Sequence, residues 1–389
     1  KDKQNLAIYK MKLLIVTECE HFRKGNTVYA PRHFVKEIMQ WSRAFKSIEL
    51  IARFPPWSEP ADLIPYRASN IIFRVGNCAF KSGRWEFIRS LGRTVVAAVS
   101  IFRGFIFADA VHLRCPSRHG LLCLLLWRLF RRPCYVKWAG NWEFHDDSPF
   151  SVRLQRWLIL RMSGQVVVSV YSRTEGDPPH IFETVTTSLS KAEIKRALDS
   201  MNNSTHEDCR LLWVGRFTPN KNVSALFDTL LAVLRVFPNA SLHLVGEGPG
   251  MKMAREEVER RGITEKIIFH GSQSWEILCS YYSAARLLLL PSFSEGFPKV
   301  VLEAALFGTP SIVFSVGALP KIVQDRGVAV KPPGDSAAFS RATIEILQDR
   351  KRWERLSNSA RRWAEQICIE SVVDGYLDLI EKAWGVRID

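Results

Sequence analysis

The sequence predicts an α/β protein built from two Rossmann-like, doubly wound domains facing a cleft, each a parallel sheet with helices on both faces. Three observations carry that prediction. Short runs of consecutive apolar residues recur along the chain, the pattern of strands buried on both faces of a parallel sheet. Helix-like segments separate them, which is the βαβα rhythm of a doubly wound fold. A polar stretch at 188–206 interrupts the rhythm once, and 389 residues are too many for one compact core. Hydrophobic residues make up 47 % of the chain, with 12 Trp and 23 Phe, which fills a core in each half and argues against disorder.

Residues 11–17 (MKLLIVT) read as the first buried strand, followed by a polar loop containing Gly25 and a helix over 31–45. Further strands are expected at 48–52, 110–113, 134–138 and 165–170. Helices are expected over 84–107 and 121–130. In the first of these, Arg84, Arg89, Arg93 and Arg103 are set among Trp85, Phe87, Ile88, Val95 and Phe102. Asn202-Asn203-Ser204 reads as a linker tip. Alternation then resumes, with strands at 210–214, 241–245, 266–269, 286–290, 311–314 and 328–330. Helices fall between them at 223–237, 251–261, 275–285, 299–307 and 337–349. In such domains ligands bind outside the carboxyl ends of the strands.

The motifs lie at those ends. Gly215-Arg216-Phe217-Thr218-Pro219-Asn220-Lys221 follows a strand and opens a helix, so it offers free backbone N–H groups, the positive helix pole and two mobile cations. A diphosphate suits it; the alternative is a helix start with two solvent-facing cations. Ser294-Glu295-Gly296-Phe297-Pro298-Lys299-Val300-Val301-Leu302-Glu303 places two carboxylates eight residues apart around a loop and the first helical turn. Glu303, on an otherwise apolar helix, is costly to bury without a partner. A pair of ribose hydroxyls satisfies it, as would a neighbouring helix end or an arginine. The glycine-rich turn Val245-Gly246-Glu247-Gly248-Pro249-Gly250 is explained equally well by an ordinary tight turn.

GRFTPNK, VGEGPG, IIFHG, SFSEGFPKVVLEAALFGTP and VGALPKIV occur in an order and at spacings that resemble the family-4 retaining glycosyltransferases of the GT-B fold. The resemblance is close from about residue 210 onward and only in outline before it. It implies an N-terminal acceptor-binding domain over 1–200 and a C-terminal nucleotide-sugar-binding domain over 201–370. Residues 371–389 would form a helix packing back towards the first domain. It also implies roles. Arg216 and Lys221 bind the donor diphosphate and stabilise the leaving group, and Glu295 sits by the transferred sugar. Gly296, Phe297 and Pro298 touch sugar and phosphate, while Glu303 holds the ribose. Gly246 and His270 line the donor pocket, His270 beside the base in a structural rather than catalytic capacity. Gly25 is the close-approach glycine of the first loop.

There are departures. Trp138 stands where many relatives carry a histidine, with His145 and Asp146 as substitutes or plain loop residues. Lys321 replaces a usual acidic residue. Asp146-Asp147 is not a D-x-D pair, so neither a catalytic metal nor a resident cofactor is expected.

Charge divides unevenly. Residues 1–204 hold 31 Lys and Arg against 17 Asp and Glu, while the remainder is nearly balanced at 23 against 22. The basic half suggests a phosphate-rich partner or an anionic membrane surface. The mixture of cations and apolar residues in 84–103 and 151–162 suits a membrane surface, as it also suits an ordinary amphipathic core helix. Arg114, Asn141, His145 and Asp146 are the acceptor-side candidates. Eight cysteines without a CxxC pair favour a reducing cytosol. No secretory signal or membrane span is expected.

The function expected is transfer of a hexose-type sugar from a UDP- or GDP-sugar to a saccharide or lipid-linked acceptor. The setting would be surface polysaccharide or glycolipid synthesis at the cytoplasmic face of a membrane. The rivals are a basic nucleic-acid-binding protein, a nucleotide-sugar epimerase or inverting transferase, and an inactive relative. No nucleic-acid motif appears, and nucleic acid is not an expected partner.

Overall fold

The computed structural model describes residues 10–57, 62–76, 84–143, 148–200 and 209–387, with the side chains of 84–94 and 200 left aside. It divides into two units, one of residues 1–188 with 369–389 and one of 189–368.

The first unit opens with β1 (Lys12–Glu20), whose Leu13, Leu14 and Ile15 are fully buried. Where a polar loop was expected, the chain instead makes a hairpin of β2 (Phe22–Lys24) and β3 (Thr27–Pro31). Lys24 pairs with Thr27, leaving Gly25 and Asn26 as a two-residue connection. Primed hairpin turns need positive φ at the first central position, and Gly25 supplies it at 59°. A Cβ there would meet nothing within 4 Å. Gly25 therefore serves this turn, and the space beside it is open.

Helix α1 (Arg32–Ala44) leads to β4 (Ser47–Arg53). The short β5 (Leu63–Pro65) joins the hairpin sheet, and β6 (Ile71–Val75) edges the main one. Then come α2 (Arg84–Phe107), β7 (Ala110–Cys115), α3 (Gly120–Phe130), β8 (Cys134–Trp138), α4 (Phe150–Leu160), β9 (Val166–Val170) and β10 (Ile181–Glu183). The seven-stranded sheet is parallel, in the order β10-β9-β8-β7-β1-β4-β6. Its order reverses between β1 and β7, the topological switch point of a doubly wound sheet.

The second unit begins with α5 (Lys191–Ser200), a helix inside the stretch read as linker. It continues with β11 (Arg210–Val214), α6 (Ser224–Leu234), β12 (Ser241–Val245), α7 (Met251–Arg260), β13 (Ile267–Gly271), α8 (Trp275–Ala284), β14 (Leu287–Leu290), α9 (Lys299–Leu306), β15 (Ser311–Phe314), α10 (Leu319–Val323), β16 (Gly327–Val330), α11 (Ser336–Gln348) and α12 (Arg350–Glu365). Its sheet is parallel in the order β13-β12-β11-β14-β15-β16, the Rossmann order, reversing between β11 and β14. Leu211, Trp213, Leu244, Leu289 and Phe314 lie in one core with Phe227 and Phe339 from the covering helices. The chain then returns to the first unit as α13 (Ile369–Trp384), which packs against α1 and β9.

Candidate active site

In the second unit, the loops leaving β11 and β14 carry the two main motifs, one on each side of the switch point. Sheet order brings them together. Phe293 donates its N–H to the Asn220 carbonyl at 2.8 Å, and Asn220 Nδ2 donates to the Ser294 carbonyl at 3.4 Å. Across this seam Lys221 Nζ meets Glu295 Oε1 at 2.5 Å, with the carboxylate largely covered at 9 % exposure. Arg216 stands exposed on the same loop. Residues Pro219–Lys221 form a 3-10 turn closed by Asn222 in the left-handed conformation, so α6 starts only at Ser224. Lys221 thus sits on a turn ahead of the helix rather than in its first turn, and Arg216 on the loop before that turn.

The glycine-rich turn packs under this loop. A Cβ on Gly246 would lie 1.8 Å from the Gly215 carbonyl oxygen, and one on Gly248 would lie 2.6 Å from that of Phe217. Phe217 donates its N–H to the Glu247 carbonyl at 3.0 Å, and Gly246 donates to that of Gly271 at 2.7 Å. Gly246 is therefore placed by loop-on-loop packing, a role its sequence left open. Gly296, Phe297 and Pro298 lead into α9, with Phe297 buried and Pro298 at the N-cap. Pro298, as the N-cap residue, supplies no side-chain capping bond.

Glu303 is buried on α9, and Tyr282 of α8 donates its hydroxyl to Glu303 Oε2 at 2.9 Å. Burial, then the carboxylate beside it, pushes the Tyr282 phenol well up, so it stays a donor. Its partner was missed from the sequence because the two residues lie on different helices. Ser292 was missed too; its hydroxyl is fully buried at the start of the second loop without a hydrogen-bond partner. His270 is locked in a ring cluster, Nε2 to His243 Nδ1 at 2.9 Å and Nδ1 to the Tyr281 hydroxyl at 2.8 Å. Burial, then Arg210, holds its pKa below the usual histidine value, in keeping with an uncharged structural role. Among the described residues, no group of three His, Cys, Asp or Glu could hold a metal ion.

In the first unit the acceptor-side candidates fare differently. Arg114 is turned inward. Its Nη1 donates to Glu37 Oε1 at 3.1 Å, its guanidinium lies 4.7 Å from the Phe34 ring, and Lys137 Nζ meets Glu37 Oε2 at 2.8 Å. Burial pushes the Glu37 carboxyl up, but the charges of Arg114 and Lys137 outweigh it and hold the group ionised. Burial likewise brings Lys137 down to about 8 despite Glu37. Arg114 thus belongs to a largely buried charge triad with Glu37 and Lys137. Asn141 is a turn residue, accepting from Trp138 Nε1 at 2.9 Å through its carbonyl and from the Glu143 N–H at 3.1 Å through Oδ1. Trp138 itself is core, edge-on to Trp142 at 5.1 Å. His145 and Asp146 lie outside the described residues.

Both units are Rossmann-like, and together they have the GT-B fold of known glycosyltransferases. Residues 195–363, the part that holds the paired loops, match the family described as glycosyl transferases group 1. Over 174 residues the chain is 34 % identical to the D-inositol 3-phosphate glycosyltransferase of Segniliparus rotundus, covering 42 % of this chain and 38 % of that protein. The chain thus spans under half the length of the curated relatives it matches. Over nearly its whole length it superposes on sucrose-phosphate synthase from Thermosynechococcus elongatus, with a TM-score of 0.70 at 18 % identity, covering 97 % of this chain and 100 % of that one. The Anabaena protein HepE in complex with UDP and glucose gives 0.69 at 15 % identity, covering 96 % and 100 %.

Proposed function

We propose that the protein is a retaining glycosyltransferase that moves a hexose-type sugar from a UDP-sugar to a saccharide or lipid-linked saccharide. The observation that carries this reading is the Lys221–Glu295 pair, set at the switch point of the second sheet beside exposed Arg216. UDP is preferred to GDP because HepE, which shares the fold, holds UDP.

The chemistry assigned to the residues is as follows. Arg216, Lys221 and the positive N-terminal end of α9 provide positive charge for a diphosphate, without a metal. Glu303 takes the ribose hydroxyls while Tyr282 keeps the carboxylate in place. As the bond from sugar C1 to the phosphate oxygen breaks, its electron pair stays on the diphosphate, where the two cations stabilise it. The acceptor oxygen bonds C1 on the same face, and its proton passes to the departing phosphate oxygen. That route needs no histidine at the position of Trp138. The product class would be surface polysaccharide or glycolipid, made at the cytoplasmic face of a membrane.

Calorimetric titration of UDP, GDP and ADP into wild type and Arg216→Ala tests the donor assignment. UDP should bind, and Arg216→Ala should lower turnover of the matching sugar nucleotide by about a hundredfold, as expected for loss of one charge-stabilising donor. Product anomers read by NMR test retention. Absence of binding by any of the three nucleotides would sink the reading.

A further inference from the structure

The first unit has an apolar face that its own fold does not cover. Right-handed crossovers put α1 on one side of the sheet and α2, α3 and α4 together on the other, because the strand order runs in opposite directions from the switch point. The helices of that layer touch in sequence, α2 with α3 and α3 with α4, and Phe102 meets Phe130 across the first contact at 5.8 Å.

Helix α2 is apolar on two faces. Ala97, Ile101 and Phe105 point into the core with no exposure. Val95, Val99, Phe102 and Ile106 form a second stripe at helical spacing and are exposed, as is Phe107 at 64 %. Leu125 and Leu129 continue it on α3, and Phe150 and Trp157 on α4. Of the eighteen exposed large hydrophobics among the described residues, ten lie on these three helices. Over its described side chains α2 is apolar on both its inward and its outward face, and an exposed apolar face of this extent calls for a partner.

Charge decides which partner. Arg103, Arg128, Arg131, Arg153 and Arg161 are all exposed on or beside these helices, with Arg161 folded over Trp157 at 4.0 Å. Residues 95–107, 120–130 and 150–160 contain no Asp or Glu. An apolar strip edged by arginines matches an anionic bilayer surface, where the ring and aliphatic tips enter the headgroup boundary and the guanidinium groups meet lipid phosphates. A second copy of the same face would bring like charges together. No helix among the described residues is long and apolar enough to cross a membrane, so the layer would lie on the surface.

We infer that the α2–α3–α4 layer of the first unit docks on an anionic lipid bilayer. The inference rests on exposure and charge in this layer and is independent of the nucleotide reading.

Flotation of the full chain with vesicles tests it, using phosphatidylcholine alone against phosphatidylcholine mixed with phosphatidylglycerol. The protein should float with the anionic vesicles and lose binding as salt rises. Arg128→Gln with Arg131→Gln should weaken binding by about tenfold or more, since each such arginine near an anionic surface contributes about fivefold. Leu125→Ser, Leu129→Ser and Trp157→Ser together should abolish it. These variants should keep the wild-type melting midpoint and UDP response, which separates a lost surface from a lost fold or a wrong donor. Folded wild type that ignores anionic vesicles at low salt overturns the inference. So does undiminished binding by the triple variant, or a dimer that the triple variant splits.

Discussion

Tyr282 shows how one side chain decides whether a buried carboxylate is tolerable. Its hydroxyl is the donor to Glu303 Oε2 at 2.9 Å, in a position with no exposure of the ring. Removing a donor from a buried charged acceptor costs about 1–3 kcal/mol. Tyr282→Phe should therefore lower the melting midpoint by several degrees in scanning calorimetry; an unchanged midpoint would show that Glu303 is satisfied without it. The sequence announced Glu303 as a residue in need of a partner, through its place on an apolar helix, but could not say which. Pairs such as Tyr282–Glu303 and Lys221–Glu295 join residues far apart in the chain, so no local pattern encodes them. Arg114 is the reverse case. A strand-end arginine looks like a ligand residue, and only the fold reveals Glu37 waiting beneath it.

At the scale of elements, legibility followed burial. Strands β8, β11, β12 and β15 match their expected bounds residue for residue, because strands largely covered on both faces read as short, mainly apolar runs, broken here only by Lys137, Arg210, Ser241, His243 and Ser311. The strands of the small hairpin sheet were invisible, being three to five residues long, half-exposed and bearing Arg23, Lys24 and Pro65. Helix α12 was passed over because its inward stripe is small and sparse, Trp353, Ser357, Ala360 and Ala364 among many charges. The loops of the candidate site were legible as motifs, while their packing was not. Gly246 tests that packing. Its φ of 134° and the 1.8 Å approach to the Gly215 oxygen leave no room for a methyl group. Gly246→Ala should displace the Arg216 loop and abolish nucleotide binding, whereas Gly25→Ala should retain it, as read by the same titration. Binding retained in both would show that the turn under the loop does not position it.

For the whole molecule, acid is the condition its interior is least built to meet. His21 has no exposure, accepts or donates at both ring nitrogens, and is pushed by burial down to about 4, against the pull of the Cys19 carbonyl and with help from Arg114. His112 is fully buried and also lowered, by burial and then by Arg114. Between pH 6.5 and 4 the unfolded chain takes up protons that the folded chain refuses, so stability falls as pH falls. Each such histidine adds a slope of up to about 1.4 kcal/mol per pH unit. The melting midpoint should therefore drop steadily from pH 6.5 to 4.5, and His21→Gln should lower it at neutral pH while flattening the dependence. An equal slope in the variant would remove His21 from the account.

The route of the chain also sets an order of events during synthesis. The first unit is written in two instalments, since residues 369–387 come back to it only after the whole second unit has been made. Until then the face formed by Trp41 and Tyr135 lacks the Tyr376 ring that closes it, and Gln165 lacks the Trp384 carbonyl that accepts its amide. A chain cut short just before residue 369 would thus carry a complete second unit joined to an unsealed first one, with a further aromatic patch bared at Trp41 and Tyr135.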